Sequence, residues 1–286
     1  MHSRLPTLSR PTTAARGRAR RALACAAVLA TSVTALFTAG ALHPTPARAA
    51  TPAPAPATAA PAQVTAAVLD LDGAGRRPAV FGDDTPYDTA SIIKVDILAS
   101  VLLQAQDAGR DLTAEEQALA EKMIEHSDNA SATTLWQRIG EAPGLEAANQ
   151  RLGLTSTEGG AGRLWGLTRT TASDQIRLLL AVFDDGASKG GSTALNESSR
   201  GRLKTLMSRI ATEQSWGVSA AGDSGWALKN GWLQRSATQL WDINSIGEVT
   251  AHGHRYLVAV LSNGNASMRD GISLVERTAR SAVASA

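Results

Sequence analysis

The chain has 286 residues, with 28 basic and 26 acidic groups, a formal net charge of +2 and a single cysteine, Cys25. Seven arginines and no acid fall within residues 1–50, so the remainder carries 21 basic against 26 acidic groups, a net of −5. That balance excludes a basic nucleic-acid-binding surface, and beyond Cys25 it leaves no thiol for catalysis, disulfides or cysteine metal sites.

Met1 to Arg21 is arginine-rich, Ala22 to Leu42 is uncharged and mostly apolar, and Ala47-Arg48-Ala49 offers small residues for cleavage. This is the pattern of a secretory signal peptide over 1–50, cut near Ala49-Ala50. The apolar run is interrupted by Thr31, Ser32, Thr34, Thr38 and Gly40, which argues for cleavage over a retained membrane anchor. Residues 51–63 alternate proline and alanine and read as an extended linker. The expected product is secreted, with no stable membrane span after cleavage. Residues 64–286 form the folded domain and are long enough to enclose a core without crosslinks.

Val64 to Asp72 is a β-rich run closed by Asp72-Gly73, and Pro78 to Phe81 is a second short strand, so the domain opens with a hairpin. Ser91 to Gln106 is apolar on every side and predicts a buried central helix with Ser91 at its N-terminus. Thr113-Ala114-Glu115-Glu116 is a capping box for a helix running to about His126. Further helices are predicted at roughly 130–138 and 172–182. Strand character returns at 226–229, 240–249 and 255–261, with His252-Gly253-His254 as a solvated turn, and a last helix runs from Ile272 to about Ala284. Strands at both ends and helices between predict an α+β fold. The two chain ends share one antiparallel sheet with flanking helices, a helical subdomain is inserted, and a cleft lies at the join.

Three motifs follow in order: Ser91-Ile-Ile-Lys94, Ser127-Asp128-Asn129 and Lys229-Asn230-Gly231. A serine hydroxyl needs an adjacent base to act as a nucleophile, and residues i and i+3 share a helix face, so Lys94 can reach Ser91. Burial and a second nearby cation, Lys229, both push the lysine toward its neutral, basic form. Ser127 can relay a proton to a departing nitrogen, and Asn129 can donate to a substrate carbonyl. Lys229 offers a fixed charge to a substrate carboxylate, and Gly231 lets a ligand lie along the strand. Trp232, directly after it, is the expected cleft wall. A rival segment, Gly222-Asp223-Ser224-Gly225, has the look of a chymotrypsin-like nucleophile, but its only upstream histidine outside the leader is His126, in a helical region.

Taken together, these residues resemble the penicillin-recognising serine hydrolases, and most of all the class A β-lactamases, over about residues 64–284. The likeness includes strand order, the buried helix after Ser91, the Ser-Asp-Asn tripeptide and Gly225-Trp226 just before Lys229. It implies a β-lactamase/transpeptidase-like fold. It makes Ser91 the nucleophile, Lys94 the base, Ser127 the proton relay and Lys229 the carboxylate anchor. Asn129, Asn230, Gly231 and Trp232 would bind substrate, with the backbone N–H groups of Ser91 and Trp232 as oxyanion hole. It also implies β-lactam hydrolysis through an acyl-enzyme. The alternatives are a D-Ala-D-Ala carboxypeptidase-type cell-wall peptidase, or a β-lactam-binding protein that turns over slowly or not at all. The expected partner is a small molecule, a β-lactam or a carboxylate-bearing amide or peptide, bound by a monomer without cofactor or metal.

Three departures stand out. Only 36 residues separate Ser91 from Ser127, which shortens one rim of the cleft. Asn230 stands where the family has Thr or Ser. The loop Thr157 to Trp165 is short and glycine-rich, and its one acid, Glu158, is the only available base for releasing the acyl group.

Overall fold

The computed structural model describes residues 61–185 and 194–286, so the predicted leader and most of the linker lie outside the described residues. The hairpin is present. Strand β1 (Gln63–Asp70) pairs antiparallel with β2 (Ala79–Phe81). Asp70 Oδ1 accepts from the backbone of Asp72 and Gly73, each at 2.9 Å, which turns the chain at the end of β1. A two-residue strand β3 (Tyr87–Asp88) follows, then a 3-10 turn (Ala90–Ile92) leads into α1 (Ile93–Asp107).

Helix α1 is buried on all faces except near its C-terminal end, as its unbroken apolar composition dictates. The capping box ahead of α2 (Ala114–Glu125) is formed: Glu116 N donates to Thr113 Oγ1 at 3.2 Å and Thr113 N to Glu116 Oε2 at 2.8 Å. Helices α3 (Asn129–Ile139) and α4 (Glu141–Leu152) complete the helical region around α1. Strand β4 (Arg169–Thr170) pairs with β3, and α5 (Ala172–Phe183) and α6 (Glu197–Met207) follow.

The late strands are longer than the sequence pattern suggests: β5 (Gly225–Gln234), β6 (Trp241–Ala251) and β7 (His254–Asn265), followed by α7 (Met268–Ala284). The main sheet runs β2-β1-β7-β6-β5, antiparallel throughout, so β1 and β7 bring the two ends of the domain together as expected. Alternation along each strand sends side chains to two separate cores. Ala66, Val68, Leu228, Ile243, Val258 and Val260 pack under α7. Ala67, Leu69, Ala227, Ile246, Leu257 and Leu261 pack against the side that holds α1 and α5. Burying each of the larger side chains contributes about 1.5–3 kcal/mol relative to exposure. The architecture is the α+β, β-lactamase/transpeptidase-like arrangement that the sequence implies.

His252 and Gly253 form the turn between β6 and β7 and His252 is exposed, but His254 already belongs to β7 and is not merely solvated: its Nδ1 lies 2.9 Å from Asp70 Oδ2. Among the described residues, no helix is long and apolar enough to cross a membrane.

Candidate active site

The site forms where the start of α1, the turn before α3 and the middle of β5 converge. Ser91 lies in the 3-10 turn, one turn ahead of Lys94, and the i, i+3 spacing puts Lys94 Nζ 3.1 Å from Ser91 Oγ. Lys94 Nζ also lies 2.6 Å from the Ser127 carbonyl oxygen, 3.0 Å from Ser127 Oγ and 2.8 Å from Asn129 Oδ1. Lys229 Nζ approaches Ser127 Oγ from the other side at 3.1 Å and donates to its neighbour Asn230 O at 3.0 Å. One hydroxyl thus joins two lysines 102 and 33 residues away in sequence.

The local folding that produces this is specific. Asp128, not Ser127, caps α3, accepting from Ser131 N at 2.7 Å, which leaves the Ser127 hydroxyl free to face the lysines. Ser127 sits at φ +55 and Ala90, immediately before Ser91, at φ +48, two non-glycine residues in the left-handed region beside the reacting groups. Gly231 is required for packing: a Cβ there would stand 2.7 Å from Thr89 O and 2.8 Å from Ser91 N. The room a side chain would take is filled by the backbone of the Ser91 turn, rather than left along the strand for a ligand as the sequence suggested.

Both lysines are fully buried. Burial pushes the Lys94 ammonium down to about 7, against the opposing pull of the Asp128 carboxylate. Lys229 is pushed well below the ordinary lysine range, first by burial and then by the charge of Lys94. Burial, rather than the number of neighbours, favours the neutral amine. In that form Lys94 can donate to Ser127 O and Asn129 Oδ1, the two shortest contacts, and turn its lone pair toward the Ser91 hydroxyl. Such a group accepts the Ser91 proton and can return it through Ser127.

Three expected side chains fall elsewhere. Asn230 is fully buried and both its amide protons are engaged, by Gln214 O at 2.7 Å and Trp216 O at 2.8 Å, so it has no donor for a ligand. The Trp232 indole does not wall the cleft. It packs with the core under α7, 6.1 Å from Trp216. The reason is strand periodicity: Lys229 and Gly231 face the cleft side, so Asn230 and Trp232 face the other. Glu158 makes a backbone bridge with Arg169, and its exposed carboxylate bonds to none of Ser91, Lys94, Ser127 or Lys229. Asn129 is where it was expected, its Oδ1 on Lys94 and its Nδ2 without a partner among the described residues.

One further side chain, outside the three motifs, stands against the site. The half-buried Trp165 indole lies over Lys94, with Nζ 5.0 Å from the ring centroid, and its Nε1 donates to Thr133 Oγ1 at 3.1 Å. Trp165 sits in a loop without periodicity, so nothing in the sequence fixes its direction. Beside it, a cavity of about 490 Å³ is lined by Leu164, Trp165, Leu167, Leu233, Arg163 and Arg235, among others. The rival segment Gly222–Gly225 is a turn into β5 whose Asp223 accepts from His252 N at 2.7 Å, and among the described residues no histidine ring bonds Ser224. No group of three or more His, Cys, Asp or Glu suited to a metal occurs among the described residues.

The fold is that of the β-lactamase-like serine hydrolase family. The sequence model of the Beta-lactamase enzyme family matches residues 103–285, and the chain belongs to that family. The match takes in Ser127 and Lys229, and Ser91 and Lys94 precede it. No curated protein sequence matches the chain. Solved structures share the fold at low identity. TLA-1 extended-spectrum β-lactamase has a TM-score of 0.65 at 15% identity, over 78% of this chain and 93% of its own. PBP-A gives 0.64 at 20%, over 78% and 89%, and a PBP-A variant in acyl-enzyme complex with penicillin G gives 0.63 at 21%, over 78% and 90%. A β-lactamase from Chitinophaga pinensis DSM 2588 gives 0.64 at 16%, over 77% and 93%.

Proposed function

We propose that the protein is an exported serine acyl hydrolase that opens β-lactams, or cleaves small amides bearing a carboxylate, through an ester on Ser91. The observation that carries this reading is the bridge Ser91–Lys94–Ser127–Lys229, closed by contacts of 3.0–3.1 Å. Neutral Lys94 takes the Ser91 proton as Oγ attacks the carbonyl carbon. The oxyanion is met by the Ser91 and Trp232 N–H groups. When the C–N bond breaks, the Ser127 hydroxyl gives its proton to the nitrogen and is reprotonated from the lysine pair. A substrate carboxylate at Lys229 raises that lysine's proton affinity, which restores its charge and keeps Lys94 neutral by repulsion across Ser127. Water then cleaves the ester, returning the acid and free Ser91. The arginine-rich leader supports export, with cleavage near Ala49-Ala50, and the acidic remainder supports a secreted monomer.

A second reading, slow turnover, is favoured by two observations: the Glu158 carboxylate contacts none of these groups, and the face of Lys94 is covered by an indole, which accepts no proton. On this second reading the site is equipped for acylation and lacks a placed base for release. The two readings separate in one experiment, hydrolysis of a chromogenic cephalosporin followed beside intact mass. Steady turnover supports the hydrolase, and a stoichiometric adduct with little turnover supports the slow form. Release of D-Ala from a peptide with neither would point to the peptidase.

A further inference from the structure

The turn that carries Ser91 is held by a residue on the second strand of the sheet. Asn244 lies on β6 as the register partner of Gly231 and is fully buried. Its Nδ2 donates to Asp88 O at 2.9 Å and to Thr89 O at 3.0 Å, and its Oδ1 accepts from Ser262 N at 3.1 Å. Those two carbonyls immediately precede Ala90, whose φ of +48 is unfavourable for a side-chain-bearing residue. Thr89 O also accepts Ile92 N at 3.3 Å, the bond that closes the turn around Ser91. A conformation of this kind persists only where its surroundings over-determine it. Gly231 lets the turn lie flat on β5, and the Asn244 side chain reaches it from the next strand.

Resting on the reading of Ser91 as nucleophile, we propose that Asn244 is the positioning residue for acylation: its amide grips the Asp88 and Thr89 carbonyls and so fixes Ser91 Oγ within reach of Lys94. Asn244 touches no reacting atom. Its effect passes through the backbone of the turn, so its loss slows attack without weakening substrate binding, which depends on Lys229 and Asn129. A small misplacement of the attacking oxygen is enough for a large loss of rate.

The test is acylation by a fluorescent penicillin, measured against concentration for the wild type and Asn244→Asp. The substitution keeps shape and the acceptor for Ser262 N but removes both donors. The expected result is a maximal acylation rate lowered about tenfold or more, with the half-saturating concentration within about twofold. The gap should narrow as pH falls, because a protonated carboxyl regains one donor, and amide exchange over residues 87–93 should quicken. If Asn244→Asp does not fold, Asn244→Ser carries the same rate and exchange comparison. A folded variant whose maximal rate stays within about twofold of wild type overturns the role of Asn244 and leaves the nucleophile standing. A wild type that forms no adduct overturns both.

Discussion

The two walls of the cleft differ in how much chemistry they contain. On the α1 and β5 wall, Ser91, Lys94, Ser127 and Lys229 interlock through hydrogen bonds, both lysines are buried and held toward neutrality, and Ala90 and Ser127 occupy left-handed conformations. On the facing wall, the loop that ends at Trp165 offers an indole over Lys94 and an exposed Glu158 that bonds to none of the four. The first wall holds the groups proposed to form the ester, and on the second, among the described residues, Glu158 bonds to none of them. The comparison teaches that forming an ester and breaking it call on different groups, held on opposite walls.

The strongest way to break the comparison is to empty the first wall. Ser91→Ala should abolish covalent labelling by penicillin, and persistent labelling would move the nucleophile elsewhere. Next in size is pH. Because burial lowers Lys94 to about 7, the fraction of neutral amine, and with it the acylation rate, should rise about tenfold per pH unit below 7 and level off above it. A rate flat from pH 5 to 8 would remove Lys94 as the base. On the second wall, Trp165→Ala should open the face of Lys94 to water and speed release of the acyl group about tenfold, read as a shorter adduct lifetime by mass. Unchanged lifetime would show that the indole is no barrier.

A smaller effect lies behind α1. Asp96 is fully buried and neither carboxyl oxygen has a hydrogen-bond partner among the described residues. Burial, and then the Asp174 charge, raise it from 3.8 to about 7, despite the nearby Gln175 amide. The folded state therefore holds a proton that the unfolded state has lost. Stability falls as pH rises through that window, and the full cost is reached above about 7. Asp96→Asn should match wild type near pH 4 and gain on it by up to about 1.4 kcal/mol per unit toward pH 7, checked by urea unfolding at several pH values. The smallest expected change is for Glu158→Gln, which should leave acyl release as it was, because its carboxylate touches none of the reacting groups. A marked slowing would restore Glu158 as the base.

Much of the fold is legible in the sequence. Helix α1 was visible from its unbroken apolar run, α2 from its capping box, and the pairing of the chain ends from β-rich runs at both. Ser91, Lys94, Ser127 and Lys229 could be named because i, i+3 geometry and motif order constrain them. Helices α4 and α6 were not visible. Pro143 and Gly144 interrupt the pattern in the first, and the second is largely polar with few buried positions. Gly144 is there for contact, since a Cβ would meet Ile139 O. For Asn230 and Trp232 the motif gives only the spacing, whereas strand alternation decides which face each side chain takes. The contacts of Trp165 and Asn244 are not legible in the sequence for a different reason. Each lies against a neighbour distant in the chain, and neither a loop without period nor one polar residue among the several on β6 signals its target.

The most direct test of the central claim is a time course of intact mass for the wild-type protein mixed with a β-lactam. The account predicts one added acyl group per chain, located on Ser91, that forms promptly at pH 8, its decay or persistence then separating turnover from slow release. A chain whose mass never changes while the β-lactam remains intact would contradict it.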